Sequence, residues 1–248
     1  MICCIAGMHR SGTSFLAQWL ANSGLPLTTG GDIRSDVSNP RGYFEDLDFV
    51  RLHAWHLRRI RRFSAGWKLT PKNFLHFTAE ETECATSLVR ERSALHTAWG
   101  WKDPRTTIFL MHWKKLIPSL KVIIVWRPCA DVAHSLVTRG LKQRRPHLLI
   151  TPISAIHLWH THNEFALEYA ARFPEDTVVI PASQFPSIDQ SLHKVLTEQF
   201  GLQLEAVPMA DLFHPKMLAQ APAWLHWLSS ALGADEIEAR LMAASLHT

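Results

Sequence analysis

A chain of 248 residues, 47% of them hydrophobic, is the right size for one α/β domain with a substantial core. A formal net charge of +4 favours anionic ligands, yet the basic residues concentrate at 51–62 and 139–145 instead of spreading with aromatics over a nucleic-acid-binding module, so no nucleic-acid partner is expected. The four cysteines set neither a disulfide framework nor a zinc-type spacing, no apolar stretch is long enough for a membrane span, and no secretion signal precedes the first apolar run, so the expectation is a cytoplasmic protein.

The chain opens on Ile2-Cys3-Cys4-Ile5-Ala6, an apolar run that reads as a buried strand. Adjacent Cys3 and Cys4 then point to opposite faces of a sheet, as buried thiols. A glycine-bracketed turn from Gly7 to Gly12 leads into a helix over 13–22, with Phe15, Leu16, Trp19 and Leu20 on one face and Gly24 placed to stop it. Residues 28–42, rich in glycine, proline and polar side chains, make a loop long enough to carry function. Helices are predicted over 47–63 and 79–95, with Asp46 capping the first. Residues 97–101 read as a short aromatic strand, and 104–117 as a helix with Asp103 at its N-cap and Pro104 in its first position. Lys121-Val-Ile-Ile-Val-Trp126 is the clearest buried strand, followed by a helix over 128–139 that Gly140 stops. A long helix over 153–173, a strand over 177–180 and a helix over 187–200 complete the alternation that a parallel sheet requires. Residues 201–248 are expected to pack as short helices. The fold class expected is α/β: a P-loop-type three-layer sandwich, a central parallel sheet flanked by helices, in a single domain over 1–248 whose motif-bearing core is 1–140.

Strand, glycine loop and helix N-terminus together make an anion cradle, because backbone N–H groups and the positive end of the helix dipole face whatever charge sits there. The spacing Gly7-x-x-x-x-Gly12 matches the nucleoside-triphosphatase loop, but Thr13 stands where the phosphate-grasping lysine of that loop belongs, and the loop's cation is Arg10. Such a site suits a shorter anionic tail better than a γ-phosphate. A glycine turn that merely packs would carry the same spacing. Arg127 follows the central strand directly, at the carboxyl end where parallel sheets bind ligands, and Ser135 lies eight residues on. An arginine fork and a serine hydroxyl can hold a phosphate, although Arg-x7-Ser alone also fits a surface ion pair.

With both loops in view, the sequence resembles the sulfotransferases that use 3′-phosphoadenosine 5′-phosphosulfate (PAPS). Gly7-Met-His-Arg10-Ser11-Gly12-Thr13-Ser14 is similar to their 5′-phosphosulfate loop, in the bacterial form with arginine where many members have lysine. Val125-Trp-Arg127-Pro-Cys-Ala-Asp131-Val-Ala-His-Ser135-Leu resembles their 3′-phosphate motif. Asn39-Pro-Arg-Gly-Tyr-Phe-Glu45-Asp46 and Trp99-Gly-Trp-Lys102-Asp103-Pro104-Arg105-Thr resemble stretches of bacterial members, and the Lys-Asp-Pro run is similar to one in tyrosylprotein sulfotransferases. The likeness covers about residues 2–140 in order and fades beyond. Two departures stand out. The Arg-Lys-Gly segment that completes the 3′-phosphate site in many cytosolic members has no match, leaving Arg139 or a residue of 142–145 to substitute. Val179-Ile180-Pro181-Ala182-Ser183-Gln184 lacks the tyrosine and glutamate often seen after that strand.

The resemblance implies transfer of a sulfuryl group from PAPS to an acceptor hydroxyl or amine, leaving adenosine 3′,5′-bisphosphate, with arginine and lysine supplying the positive charge and no metal. Carried over residue by residue, Arg10, Ser11, Gly12, Thr13 and Ser14 bind the phosphosulfate, Arg127 and Ser135 bind the 3′-phosphate, and Lys102 stabilises charge on the transferring or leaving oxygens. Glu45 is the expected base, a role that partial burial would favour by raising its pKa. Asp46 and Asp103 are expected to cap helices instead, and His9, His53 and His56 are reserve bases whose ordinary role is structural. The acceptor stays open among carbohydrate, lipid and small molecule. The basic helix at 51–62 reads as a packed helix with a solvated charged face, or as a collector of anionic acceptors; residues 139–146 read as a lid or an ordinary connection. Two rivals remain: a P-loop small-molecule kinase, against which the missing lysine counts, and a non-catalytic nucleotide-binding protein.

Overall fold

Apolar runs too short for a helix pair here as parallel strands, and their pleat sorts alternate side chains into two cores. The structure, a computed structural model, describes residues 1–27, 42, 44–60, 76–143, 149–213, 218 and 220–246. Among them β1 (Ile2–Ala6), β2 (Trp99–Lys102), β3 (Lys121–Trp126) and β4 (Thr177–Pro181) form one parallel sheet in the order β2-β1-β3-β4. Cys3 lies beside Gly100 and Lys121, and Ile5 beside Lys102 and Ile123. Ile123 and Val125 in turn face Val178 and Ile180. Cys3 and Cys4 fall in separate cores, as their adjacency in a strand predicts.

One face of the sheet, carrying Cys3, Ile5, Ile123, Val125, Val178 and Ile180, packs on α1 (Thr13–Asn22) and α7 (Asp189–Lys194). The opposite face carries Cys4, Trp99, Trp101, Val122, Ile124 and Trp126. It is covered by α2 (Leu47–Arg59), α4 (Thr106–Leu116), α5 (Cys129–Gln143), α6 (Pro152–Arg172), α8 (Ala223–Ala231) and α9 (Ala234–Ala243). Phe49 of α2 stacks on Trp101 of β2 with ring centroids 4.5 Å apart. Full burial of each such ring is worth about 1.5–3 kcal/mol, so α2 is held by its apolar stripe while Arg51 stays in solvent. The helix is thus a packed one with a solvated charged face over its described length.

Local chemistry sets the helix ends. The Asp46 carboxylate accepts from Asp48 N at the start of α2, as expected. Thr78 and Glu81 form a reciprocal capping box that starts α3 (Ala79–Leu95), and Thr151 caps α6 ahead of Pro152. Several boundaries differ from the sequence reading: α2 ends at Arg59 with Ile60 as its C-cap, and β2 runs over Trp99–Lys102 instead of 97–101. Asp103 does not cap α4: its Oδ1 accepts from Arg105 N at 3.1 Å and its carbonyl from Thr106 N at 2.9 Å, a tight turn that delays the helix to Thr106. Gly140 does not stop α5, which runs on to Gln143. A mid-helix glycine costs only about 1 kcal/mol, and Gly140 is buried on a helix packed along α6. The helix expected over 187–200 is α-helical only to Lys194 and then widens into a π turn over Val195–Gln199. There Thr197 Oγ1 bonds to His193 O at 2.9 Å and competes for a helix carbonyl. The expected loop at 28–41 and the helix beyond residue 60 lie outside the described residues. No helix among the described residues is long and apolar enough to cross a membrane.

Candidate active site

The carboxyl ends of β1, β2 and β3 bring the sequence-predicted residues to one end of the sheet. β1 runs into Gly7, whose φ of +139° lies in the region that favours glycine. A Cβ there would sit 2.2 Å from Val125 O of the neighbouring strand, so backbone lies against backbone at this turn. Gly7 N donates to Thr107 Oγ1 at 2.7 Å, tying the loop to the first turn of α4. Arg10 holds a left-handed φ of 72°, and Gly12, at φ +96°, is the N-cap of α1 without any side-chain cap. The amides of the first turn therefore have no capping side chain, and Ser11 Oγ is buried without a hydrogen-bond partner in the protein. Both features suit an oxyanion at the helix N-terminus.

The second cluster begins where β3 ends. Arg127 is 3% exposed, its carbonyl accepts from Trp159 Nε1 at 2.9 Å, and its Nη2 lies 3.5 Å from Asp131 Oδ2. Burial draws the guanidinium below its usual pKa, and the Asp131 charge opposes that shift. Two turns along α5, Ser135 Oγ accepts a 2.8 Å hydrogen bond from Arg10 Nε. The glycine loop and the Arg127/Ser135 stretch therefore meet across the ends of β1 and β3.

The third cluster follows from pleat parity. Lys102 ends β2 on the same face as Ile5 and α1, whereas Trp101 faces the opposite core. Its buried Nζ reaches Ser14 Oγ at 3.3 Å in the first turn of α1 and Glu45 Oε1 at 2.9 Å. Glu45, with 19% of its side chain exposed, stays open to an approaching molecule. It follows Phe44, a bulky residue held at a positive φ of 50°, so the carboxylate is presented from strained backbone.

Beneath Glu45 lies a buried polar chain that the sequence reading missed. Arg105 Nη2 is 3.9 Å from Glu45 Oε2, and Arg105 Nε donates to Asp103 Oδ2 at 3.0 Å. His53 Nδ1 lies 2.7 Å from the same oxygen, and His53 Nε2 accepts from Trp113 Nε1 at 2.9 Å. The Trp113 donor fixes the tautomer: Nδ1 carries the proton and donates to Asp103. Burial would push Asp103 up, but the Arg105 charge and the His53 bond outweigh it and hold the carboxylate well below its usual range. Burial also lowers His53 against the pull of Asp103. With both ring nitrogens engaged and no exposed surface, His53 is a brace rather than the reserve base the sequence suggested. His56 likewise is buried against Glu81 at 2.9 Å, which also pairs with Arg59 at 2.8 Å. Asp46 is paired with Arg92 at 3.1 Å.

Arg105 stood in a quoted motif without a role, and no periodicity signals an arginine that folds back on its own turn. Asp131 was signalled by its place four residues after Arg127. Asn39, Pro40, Arg41 and Tyr43 of the loop motif, and Arg144 and Arg145 of the basic run, lie outside the described residues.

No family model matches the sequence, and no curated protein matches it. Among solved structures, the sulfotransferase domain from the curacin biosynthetic pathway aligns over 89% of this chain and 78% of its own, at 18% identity and a TM-score of 0.49. The sulfotransferase domain from the Synechococcus PCC 7002 olefin synthase aligns over 100% of this chain and 95% of its own, at 16% identity and a TM-score of 0.53. End to end, then, the chain has the fold of a sulfotransferase domain.

Proposed function

We propose that the protein transfers a sulfuryl group from PAPS to the hydroxyl or amine of an acceptor. One observation carries the reading: the 2.8 Å bond from Arg10 Nε to Ser135 Oγ. It joins the glycine loop to the second cationic stretch, so a ligand with two separate anionic groups can be gripped at both ends by a single cleft. The orphaned, buried Ser11 Oγ and the uncapped first turn of α1 fit one of those groups. Arg10, Ser11, Gly12, Thr13 and Ser14 would hold the phosphosulfate, and Arg127 with Ser135 the 3′-phosphate. When bound, the nucleotide supplies an activated sulfuryl group on a phosphate leaving oxygen.

The protein's part is to position and to stabilise charge. Lys102 Nζ, within reach of both the loop hydroxyl of Ser14 and Glu45, would stabilise negative charge at that end of the cleft. Glu45, partly open to solvent, would take the acceptor proton at a carboxylate oxygen while Lys102 and Arg105 keep it in place. The acceptor is read as a carbohydrate, lipid or small molecule.

Calorimetric titration with adenosine 3′,5′-bisphosphate and with ATP plus magnesium, followed by transfer of radiolabelled sulfate to a panel of acceptors, tests the proposal. The expected result is tighter binding of the bisphosphate without magnesium, weakened by Ser135→Ala, and label on at least one acceptor class. Tighter binding of ATP would overturn it in favour of a kinase. Tight bisphosphate binding with no acceptor labelled would leave a nucleotide-binding protein without transfer activity.

A further inference from the structure

Resting on that two-anion reading, we propose that the C-terminal segment sets how much of the Arg127 charge is offered to the second anion, by competing for the Asp131 carboxylate. Asp131 sits in the first turn of α5 and divides its two oxygens. Oδ2 faces Arg127 Nη2 at 3.5 Å, while Oδ1 accepts a 2.8 Å bond from Ala221 N. A close charge-assisted bond spans about 2.7–2.9 Å, and an arginine–carboxylate pair at full strength is bidentate. The Arg127 pair is longer than that, at 3.5 Å, and the backbone of residue 221 holds the other oxygen. A tightly closed pair would neutralise the guanidinium and leave it a weak phosphate ligand. The Ala221 N–H therefore keeps the pair loose.

The C-terminal segment is fastened to this turn and to the strands beside it at further points. Glu238 Oε1 of α9 accepts from Cys129 N at 2.7 Å, and Ser245 Oγ accepts from Trp126 Nε1 at 3.0 Å. Leu246 N donates to Val179 O on β4 at 2.8 Å. Strand end, turn and helix start around Arg127 are thus gripped by residues 221–246, the part of the chain to which the sequence reading gave no role. Ala221 leads directly into α8, and the bonds of α9 and residues 245–246 hold the same C-terminal segment against the sheet end that carries Arg127.

The test titrates the full chain with adenosine 3′,5′-bisphosphate and with adenosine 5′-monophosphate, and takes the ratio of affinities as the reading of the second anion site. Asp131→Asn keeps an acceptor for Ala221 N and removes the charge that restrains Arg127, so the ratio should hold or rise by about threefold. Ala221→Pro removes the competing N–H, while also fixing φ at 221 and restricting residue 220, lets Asp131 close on Arg127, and should lower the ratio by about fivefold. The monophosphate affinity is the reference and should move by less than about twofold in both variants. A role in stability alone would lower the ratio in both. A fall in Asp131→Asn overturns the proposal, and that variant decides the matter should Ala221→Pro not fold. If the wild-type chain shows no preference for the bisphosphate, the two-anion reading itself fails. If it does and Asp131→Asn falls, only the competition fails.

Discussion

His162 should make the fold acid-sensitive, for a reason that lies in its surroundings. On α6 it is 1% exposed; Nδ1 donates to Leu158 O at 3.0 Å, and Nε2 is buried with no partner. Protonation would create an N–H at Nε2 with nothing to accept it. Burial, opposed only by the Leu158 bond, pushes the imidazole pKa from 6.5 to about 4. Above pH 6.5 the ring is neutral folded and unfolded alike, so it contributes no pH dependence. Between pH 6.5 and about 4 the unfolded chain binds a proton that the folded chain refuses. Stability then falls by about 1.4 kcal/mol per pH unit, reaching a loss of about 3 kcal/mol at pH 4, below which the term is constant. His162→Leu removes the titration and the orphaned nitrogen while keeping an apolar side chain on the helix. Thermal unfolding of both proteins from pH 7.5 to 4 should give curves that coincide or favour the variant at neutral pH and diverge steadily below 6.5. At about 2–4 °C per kcal/mol for a chain of this size, the gap at pH 4 is roughly 10 °C in favour of His162→Leu. Other acid-labile groups, His112 with its pKa pushed to about 4 and Glu81 held at about 2, act in both proteins and cancel in the difference. Parallel curves over that range would refute the reasoning.

Gly7→Ala should destabilise the protein by about 3 kcal/mol or more in urea titration, because the added Cβ combines a disfavoured φ with a 2.2 Å approach to backbone that has no flexible end to yield. Asp103→Ala should cost about 3–5 kcal/mol by the same measurement, since it removes the close carboxylate beside the buried Arg105 charge and the acceptor of the His53 donor together; Asp103→Asn, which still accepts from His53, should cost less. On the proposed function, Glu45→Gln should cut sulfuryl transfer by about 100-fold or more while bisphosphate affinity in calorimetry stays within about twofold of wild type.

The elements that sequence alone located best are those whose signal is local and unopposed. β1 and β3 are uninterrupted apolar runs, and α1 and α3 begin and end where the periodicity and caps put them. The failures have physical causes at particular residues. Asp103 looked like a cap because a carboxylate before proline has the composition of one; its partners, His53 and Arg105, come from another helix and from its own turn, and no spacing announces them. Gly140 looked like a stop because propensity speaks against it, while the burial that outweighs propensity is a property of the packed helices. Lys102 was placed through a family likeness, but its contact with Ser14 also follows from register: Ile5 pairs with Lys102, so the lysine must share the α1 face. The bond between Arg10 and Ser135 lay beyond sequence reasoning, since it joins the loop after β1 to helix α5, 125 residues on, which follows the adjacent strand β3.

On the proposed function, a cleft for a nucleotide with two anionic groups concentrates cations that would repel one another, and burying several without partners would be costly. The protein answers with its own carboxylates: Glu45 for Lys102 at 2.9 Å, Asp103 for Arg105 at 3.0 Å, and Asp131 for Arg127 at 3.5 Å. The strength of each pair then has a functional meaning. Arg105 is bound tightly to a fully buried partner and belongs to the scaffold. Lys102 is bound tightly to a partly exposed one, so on the proposed function a ligand oxygen near Ser14 would compete with Glu45 for the ammonium and, on winning, would loosen the carboxylate proposed to take the acceptor proton. Arg127 lies 3.5 Å from Asp131, whose other oxygen accepts from Ala221 N, the sharing on which the proposed competition rests. On this proposal, affinity for the nucleotide would be an exchange of one set of anions for another, and the acids beside the cations would set it as much as the cations themselves.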